Sequence, residues 1–372
     1  MIPFIDLAAQ RARIKDRLDA ALAKVIDEGR YILGPEVAEL EGRLAAFGQA
    51  PHALACANGT DALALPLMAW KLRTGDAVFV PSFTFASTAE VVPWLGADCV
   101  FVDVDPETYC MDPDKLEAAI EQVKAEGKLN PVAVIAVDLF GQPADYRRIG
   151  EIAQRHGLKL IADSAQGFGC TLDDKHPIHW ADVTTISFYP AKPLGCYGDG
   201  GAILTRDEGL HALLKSLHVH GEGTERYEYA RIGMNSRLDT IQAAVLLAKM
   251  EVFEDEIRVR NEAAARYAEG FGDLVRPHKV IEGGRSVWAQ YTIEVDDRDG
   301  FRKALADQGV PTAVYYPIPL HQQPPYARFG TNPGGLPVTE AAASRVVSLP
   351  MDGYLDGERQ ETVIKAVRAA LG

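Results

Sequence analysis

Between residues 52 and 205, short apolar runs rich in β-forming residues alternate with longer stretches of helical periodicity. The runs fall at 52–57, 77–81, 99–103, 132–138, 158–163, 183–188 and 201–205. Several are apolar at consecutive rather than alternate positions, which suits strands covered on both faces in a mostly parallel sheet with crossover helices. The pattern therefore predicts an α/β large domain with a seven-stranded, mostly parallel sheet. Next, 238–270 reads as one long helix, with Ile241, Val245, Leu246, Met250 and Phe253 on one face. The carboxylates from Glu251 to Glu256 read as its solvated side. Beyond it, 286–295 alternates like a strand, 301–308 like a short helix, 312–316 like another strand and 358–371 like a terminal helix, together a smaller C-terminal α+β domain. The stretch from Tyr316-Pro317-Ile318-Pro319-Leu320 to Pro324-Pro325 is too proline-rich for regular structure and predicts a rigid loop or lid. The expected division is 1–250, a large domain with an N-terminal helix and the start of the interdomain helix, and 251–372, the small domain.

The 372 residues are 47% hydrophobic, 24% charged and 8% aromatic, which excludes a disordered chain or a small disulfide-stapled module. A net charge of −14, from 38 Lys and Arg against 52 Asp and Glu, repels a polyphosphate, and no basic run offsets it. Nucleic acid is not an expected partner, and an anionic ligand must be held by individual Arg or Lys side chains and helix N-termini. The start of the chain has no basic-then-apolar leader, and no uncharged apolar run reaches membrane-spanning length, so the expectation is a cytoplasmic protein without membrane attachment. Five widely spaced cysteines without a CxxC pair predict reduced, mostly buried thiols.

Lys192 is the only charged side chain in the sixteen residues from Val183 to Gly198. A desolvated ammonium loses its proton more readily, which frees the amine to attack a carbonyl; a lysine snorkelling out of an apolar loop gives the same pattern. Asp163 ends an apolar strand at the carboxyl edge of the sheet, where open α/β sheets place ligands. A buried carboxylate there needs a cationic partner, such as a pyridinium nitrogen, or else it caps the next helix. Asn58-Gly59-Thr60-Asp61 follows a strand and opens an apolar helix, so its N–H groups could cradle a phosphate. The run Gly195-Cys-Tyr-Gly198-Asp-Gly200-Gly201 fits neither GxGxxG nor a P-loop and reads as a tight turn. His176 with His179 and His218 with His220 have metal-compatible spacings but no completing ligands, so no metal is expected.

Taken in order, Asn58-Gly59-Thr60, the segment Pro81 to Ala89 (PSFTFASTA), Asp163-Ser164-Ala165-Gln166, Ser187-Phe-Tyr-Pro-Ala-Lys192 and Met234-Asn-Ser-Arg-Leu-Asp239 resemble the DegT/DnrJ/EryC1/StrS family of pyridoxal-phosphate sugar aminotransferases. The likeness runs from Phe4-Ile5-Asp6-Leu7 to Leu349-Pro350. It implies the type I, aspartate aminotransferase fold and a homodimer with active sites at the subunit interface. It also implies pyridoxal 5'-phosphate held by Lys192 through a Schiff base, with Lys192 then acting as the proton shuttle. By the same resemblance Asp163 pairs with the pyridine nitrogen, Gln166 bonds the phenolic oxygen and Phe85 stacks on the ring. Gly59, Thr60 and Ser187 bind the phosphate, and Asn235 reaches it from the other subunit.

Within that family, Tyr31-Ile-Leu-Gly-Pro-Glu-Val37, Lys192-Pro-Leu-Gly-Cys-Tyr-Gly-Asp-Gly-Gly201 and Pro317-Ile-Pro-Leu320 look most like aminotransferases of a UDP-linked 3-keto-2-acetamido uronic acid, enzymes of surface polysaccharide or related amino-sugar biosynthesis. The resemblance implies L-glutamate as amino donor, with Arg237 gripping a substrate carboxylate unless it serves a structural salt bridge. Tyr315, Tyr316 and His321 become substrate-side candidates, and residues 226–231 candidates for the nucleotide or the neighbouring subunit. Relatives carry His-Tyr where this chain has Tyr315-Tyr316, a departure on the substrate side. Acceptors with 3-keto or 4-keto 6-deoxy sugars on TDP, UDP or GDP form the alternative, and a non-catalytic pyridoxal-phosphate-binding regulator is the alternative of another class. Lys192 argues against the family's dehydratases, which carry histidine there, and the missing glycine fingerprint argues against a nicotinamide oxidoreductase.

Overall fold

The computed structural model describes residues 2–225 and 227–372, so Arg226 lies outside the described residues. The main sheet contains β1 (His52–Cys56), β2 (Asp76–Pro81), β3 (Asp98–Val102), β4 (Asn130–Val137), β5 (Lys159–Asp163), β7 (Val183–Ser187), β8 (Gly201–Thr205) and a short β12 (Gly330–Thr331). Its order is β1-β8-β7-β5-β4-β2-β3-β12. Strand β8 is antiparallel to both neighbours, and every other adjacent pair is parallel. All seven expected strands are present. The eighth is a correction: two residues from the expected small C-terminal unit join the edge beside β3, a pairing too short to leave a periodic signal.

Consecutive apolar residues serve opposite faces. Phe79, Val134 and Ala136 pack with α6 (Pro113–Glu126), α7 (Tyr146–His156) and α11 (Pro337–Arg345), whereas Val78, Val80, Ala133 and Ile135 pack with α4 (Gly59–Ala69), α5 (Ser87–Trp94) and α8 (Glu208–Leu217). A two-residue ribbon pairs β6 (Thr171–Leu172) with β10 (Gly284–Arg285). The second sheet, β13-β11-β9, joins Val346–Leu349, Tyr291–Glu294 and Arg276–Pro277, and packs on α10 (Arg298–Asp307) and α12 (Gly357–Leu371). All five cysteines are free and buried.

The long helix α9 (Thr240–Phe271) carries more than one buried face. Val245 meets Leu18 of α2 (Lys15–Glu28), Leu246 and Phe253 meet Leu40 and Leu44 of α3 (Pro35–Phe47), and Tyr267 and Phe271 enter the second core. Glu256 corrects the expectation of a solvated acidic face: it is buried and accepts hydrogen bonds from Gln10 of α1 (Leu7–Arg13) at 3.0 Å and from the Tyr354 hydroxyl. The expected strand at 312–316 reduces to one bridge, Ala313 with Ser348, because the prolines at 317 and 319 lack the donors a ladder needs. The expected strand at 286–295 begins only at Tyr291, after Trp288 adopts a left-handed φ of 47° that interrupts extension. The proline-rich segment is an ordered loop, with Leu320 N–H bonded to the Ser82 carbonyl at 3.0 Å. No helix among the described residues is long and apolar enough to cross a membrane.

Candidate active site

Strands β2, β4, β5 and β7 run parallel, so their carboxyl ends open on one edge. Asp163 ends β5 there and is buried. Its Oδ2 accepts from Thr88 Oγ1 at 3.0 Å and its Oδ1 from the Ala165 N–H at 3.1 Å. Burial pushes its carboxyl up, against the opposing pull of those donors and of the Lys192 ammonium. Lys192 stands in the loop after β7, and burial pushes its amine down while the Asp163 carboxylate pulls it back. Among the described residues, its Nζ has no hydrogen-bond or ion-pair partner. The structure thus brings together the two residues singled out by their chemistry and leaves the amine uncommitted.

Gln166 lies beside this pair, with its amide orientation set from both ends. Oε1 accepts the Phe140 N–H at 2.9 Å, and because a backbone N–H can only donate, Nε2 must face the other way, where it donates to the Tyr316 hydroxyl at 3.0 Å. One Nε2 hydrogen remains for another acceptor. Phe85 is 55% exposed, with its ring tilted against Tyr316 at a centroid distance of 6.3 Å.

On the other side, Asn58 caps α4 by accepting the Asp61 N–H at 2.8 Å, and its carbonyl takes the Ala62 N–H. The Gly59 and Thr60 N–H groups have no acceptor among the described residues, which leaves the positive end of α4 open to an anion. A Cβ on Gly59 would lie 2.7 Å from the Ser187 Cβ, so only glycine lets β7 approach this helix start. Thr60 Oγ1 bonds Ser87 Oγ at 2.8 Å.

The remaining candidates sit differently. Arg237 makes no salt bridge among the described residues. Asn235 is exposed and pairs with Val219 through a single bridge. Tyr315 is half-buried, with its ring 5.8 Å from that of Tyr316 and 6.4 Å from that of Phe4. The Tyr316 hydroxyl accepts from Gln166 Nε2 at 3.0 Å. His321 is held at both ring nitrogens: Nδ1 bonds Ser82 Oγ at 2.7 Å and Nε2 bonds Glu340 at 3.0 Å, so both brace the loop. His176 packs on Phe47 and His179 on Trp180.

Sequence reasoning missed Thr88 and Asp138. Asp138 is buried behind the Asp163 turn, donates its N–H to the Asp163 carbonyl at 3.0 Å and accepts from the Tyr146 hydroxyl at 2.7 Å and from Ser164 Oγ. A Cβ on Gly167 would come within 2.3 Å of the Asp138 Cβ. Its signal was present, a carboxylate ending an apolar run just as Asp163 does.

A family model, the DegT/DnrJ/EryC1/StrS aminotransferase family, matches residues 12–368. The chain belongs to this family. It is 47% identical to a Pseudomonas aeruginosa UDP-2-acetamido-2-deoxy-3-oxo-D-glucuronate aminotransferase, over 100% of this chain and 99% of the relative. Its fold superposes with a TM-score of 0.99 on a DegT DnrJ EryC1 StrS aminotransferase from Brucella abortus, 52% identical, with each chain covered to 100%. A TM-score of 0.90 relates it to NtdA from Bacillus subtilis with bound cofactor PMP, 30% identical, covering 100% of this chain and 85% of that one. These likenesses support the type I fold of pyridoxal-phosphate aminotransferases expected from the sequence.

Proposed function

We propose that this enzyme moves an amino group from L-glutamate to a UDP-linked 3-keto-2-acetamido uronic acid, in the synthesis of a surface polysaccharide. The coarser activity, transamination of a keto sugar nucleotide with pyridoxal 5'-phosphate, follows from the family and its named relatives. The observation that carries the reading is the uncommitted Lys192 amine facing the buried Asp163 carboxylate beside the open start of α4. The 47% identical relative is named for that acceptor.

These residues fit the cofactor. A carboxylate this buried is stable as an anion only beside a cation, which a protonated pyridine nitrogen supplies. The N–H groups of Gly59 and Thr60, with Ser187, form the cradle for the phosphate. The cofactor, when bound, takes up the amino group and serves as electron sink. Lys192 Nζ, with its proton affinity lowered by burial, would accept the proton from the carbon that bears the amino group and return it, on the same face, at the other end of the conjugated system. Asp163 would hold its charge opposite the ring nitrogen, and Gln166 would turn its remaining Nε2 hydrogen to the phenolic oxygen. Phe85 would cover one ring face and keep water from it.

Arg237, without a salt-bridge partner among the described residues, presents a bidentate guanidinium suited to the glutamate carboxylate or the uronate. Tyr315, which stands where relatives have histidine, offers a hydroxyl to the sugar. Exposed apolar residues, among them Tyr31, Ile32, Leu33 and the 91% exposed Ile232, support a homodimer in which Asn235 reaches the neighbouring cradle. The division at residue 250 falls inside α9, which would serve as a continuous strut between the two units.

The decisive experiment records the visible spectrum of the protein loaded with pyridoxal phosphate, before and after L-glutamate, beside Lys192→Ala. A band that glutamate bleaches and the UDP-linked 3-keto uronate restores is the expected result, with no bleaching in Lys192→Ala. Restoration by a 6-deoxy keto sugar nucleotide alone would replace the acceptor, and absence of the band from the wild type would overturn the site.

A further inference from the structure

Helix α9 reaches the loop that carries Lys192 at two points, seven residues apart along its length. Gln242 brackets one peptide unit of the loop: Oε1 accepts the Tyr197 N–H at 2.8 Å, and Nε2 donates to the Tyr197 carbonyl at 3.2 Å. Two helical turns on, Lys249 is 1% exposed. Its Nζ donates to the Gly195 carbonyl at 2.5 Å and lies 4.5 Å from the centroid of the Tyr197 ring. The Gly195 carbonyl is its only hydrogen-bond acceptor among the described residues. Glu256, two turns further, pulls its proton affinity up from a distance while its own carboxylate serves Gln10 and Tyr354.

A buried ammonium with one neutral acceptor is expensive, and an apolar side chain of similar length would fill the same space without that cost. Burial accordingly pushes Lys249 down to about 8. What the ammonium does secure is the turn from Tyr189 to Gly195. That turn closes tightly: a Cβ on Gly195 would stand 2.5 Å from the Pro190 carbonyl and 2.7 Å from that of Tyr189. Within it the Lys192 N–H donates to the Tyr189 carbonyl at 2.8 Å, and just beyond it the Cys196 N–H donates to Phe188 at 2.7 Å. Fixing the Gly195 carbonyl therefore fixes the crest on which Lys192 stands.

We propose that Lys249, assisted by Gln242, is a positioning residue that holds the Gly195 carbonyl and the Tyr197 peptide so that the Lys192 amine faces the Asp163 edge of the sheet. The proposal rests on the reading of Lys192 as the amine that holds the cofactor. The long helix then does more than join the two cores, because it also sets the orientation of the reactive amine.

The test compares wild type, Lys249→Met and Gln242→Ala, each loaded with pyridoxal phosphate. Lys249→Met keeps the length of the side chain and removes the ammonium. Titration by visible absorbance measures affinity for pyridoxal phosphate, and circular dichroism in the visible band, per bound cofactor, measures how rigidly the cofactor is held. Loss of one charged hydrogen bond predicts roughly tenfold weaker binding in Lys249→Met, with visible dichroism clearly reduced and the far-ultraviolet spectrum unchanged. Gln242→Ala moves both readouts the same way by less, and carries the test if Lys249→Met does not fold. Wild-type affinity and dichroism in the folded variants, or a lower melting temperature with dichroism per cofactor intact, overturn the proposal. No visible band in the wild type would instead overturn the reading of Lys192 itself.

Discussion

Asp138 concentrates the electrostatic cost of this site in one side chain. Burial raises its carboxyl from 3.8 to about 7, against the opposing pull of Ser164, Tyr146 and the Ala144 N–H. The folded protein thus binds this proton more tightly than the unfolded chain does, so the stability it contributes is complete below the ordinary carboxyl range and is lost as pH rises through about 7. Asp138→Asn cannot ionise. Its melting temperature relative to wild type is expected to rise between about pH 5 and pH 8, and a pH-independent difference would mean that Asp138 stays charged throughout. At this scale Lys192 and Asp163 were legible as candidates because each stands out locally, a lone charge in an apolar run and an acid closing a strand. Lys249 was not legible, since a lysine within an amphipathic helix has the same pattern whether it meets water or a carbonyl from another segment.

The start of α4 is the element on which the phosphate reading stands. Its two open N–H groups depend on Asn58 as cap and on the lack of a side chain at Gly59. Gly59→Ala places a Cβ 2.7 Å from the Ser187 Cβ, which forces strand and helix apart. Overpacking of this kind costs about 1–3 kcal/mol, so affinity for pyridoxal phosphate is expected to fall roughly tenfold or more by absorbance titration. Unchanged affinity would place the phosphate elsewhere. The strands of the main sheet were readable because burial on both faces imposes unbroken apolar runs. The segment at 312–316 misled for the opposite reason: its alternation is real, but the prolines beyond it deny it a ladder, and Val314, Tyr315 and Tyr316 pack against the core of the main sheet instead.

At the scale of the whole molecule, Asn235 is exposed and bridges only to Val219 among the described residues, and a second copy would give its side chain a partner. If Asn235 completes the neighbouring site, inactive Lys192→Ala and strongly impaired Asn235→Ala subunits refolded together regain activity, because mixed dimers hold one site with both native residues. About a quarter of the wild-type rate is expected from equal mixing, half of the dimers being mixed with one intact site each. No recovery, with mixed dimers detected by mass, would place Asn235 in its own subunit's site.

The sequence by itself determined the α/β class, seven strands of the main sheet and the long helix, and it singled out Lys192 and Asp163 as candidates. These are written in local quantities: hydrophobic period, strand-end chemistry, and the isolation of a charge. Only the tertiary structure decided that Gln166 is oriented by Phe140 and Tyr316, that His321 is a brace, that Asp138 backs Asp163, and that Lys249 reaches the Lys192 loop. Each of those is a hydrogen bond between segments distant in the chain. Its existence depends on which strand ends and helix faces folding brings within about 3 Å of one another, and no pattern along the chain encodes that distance.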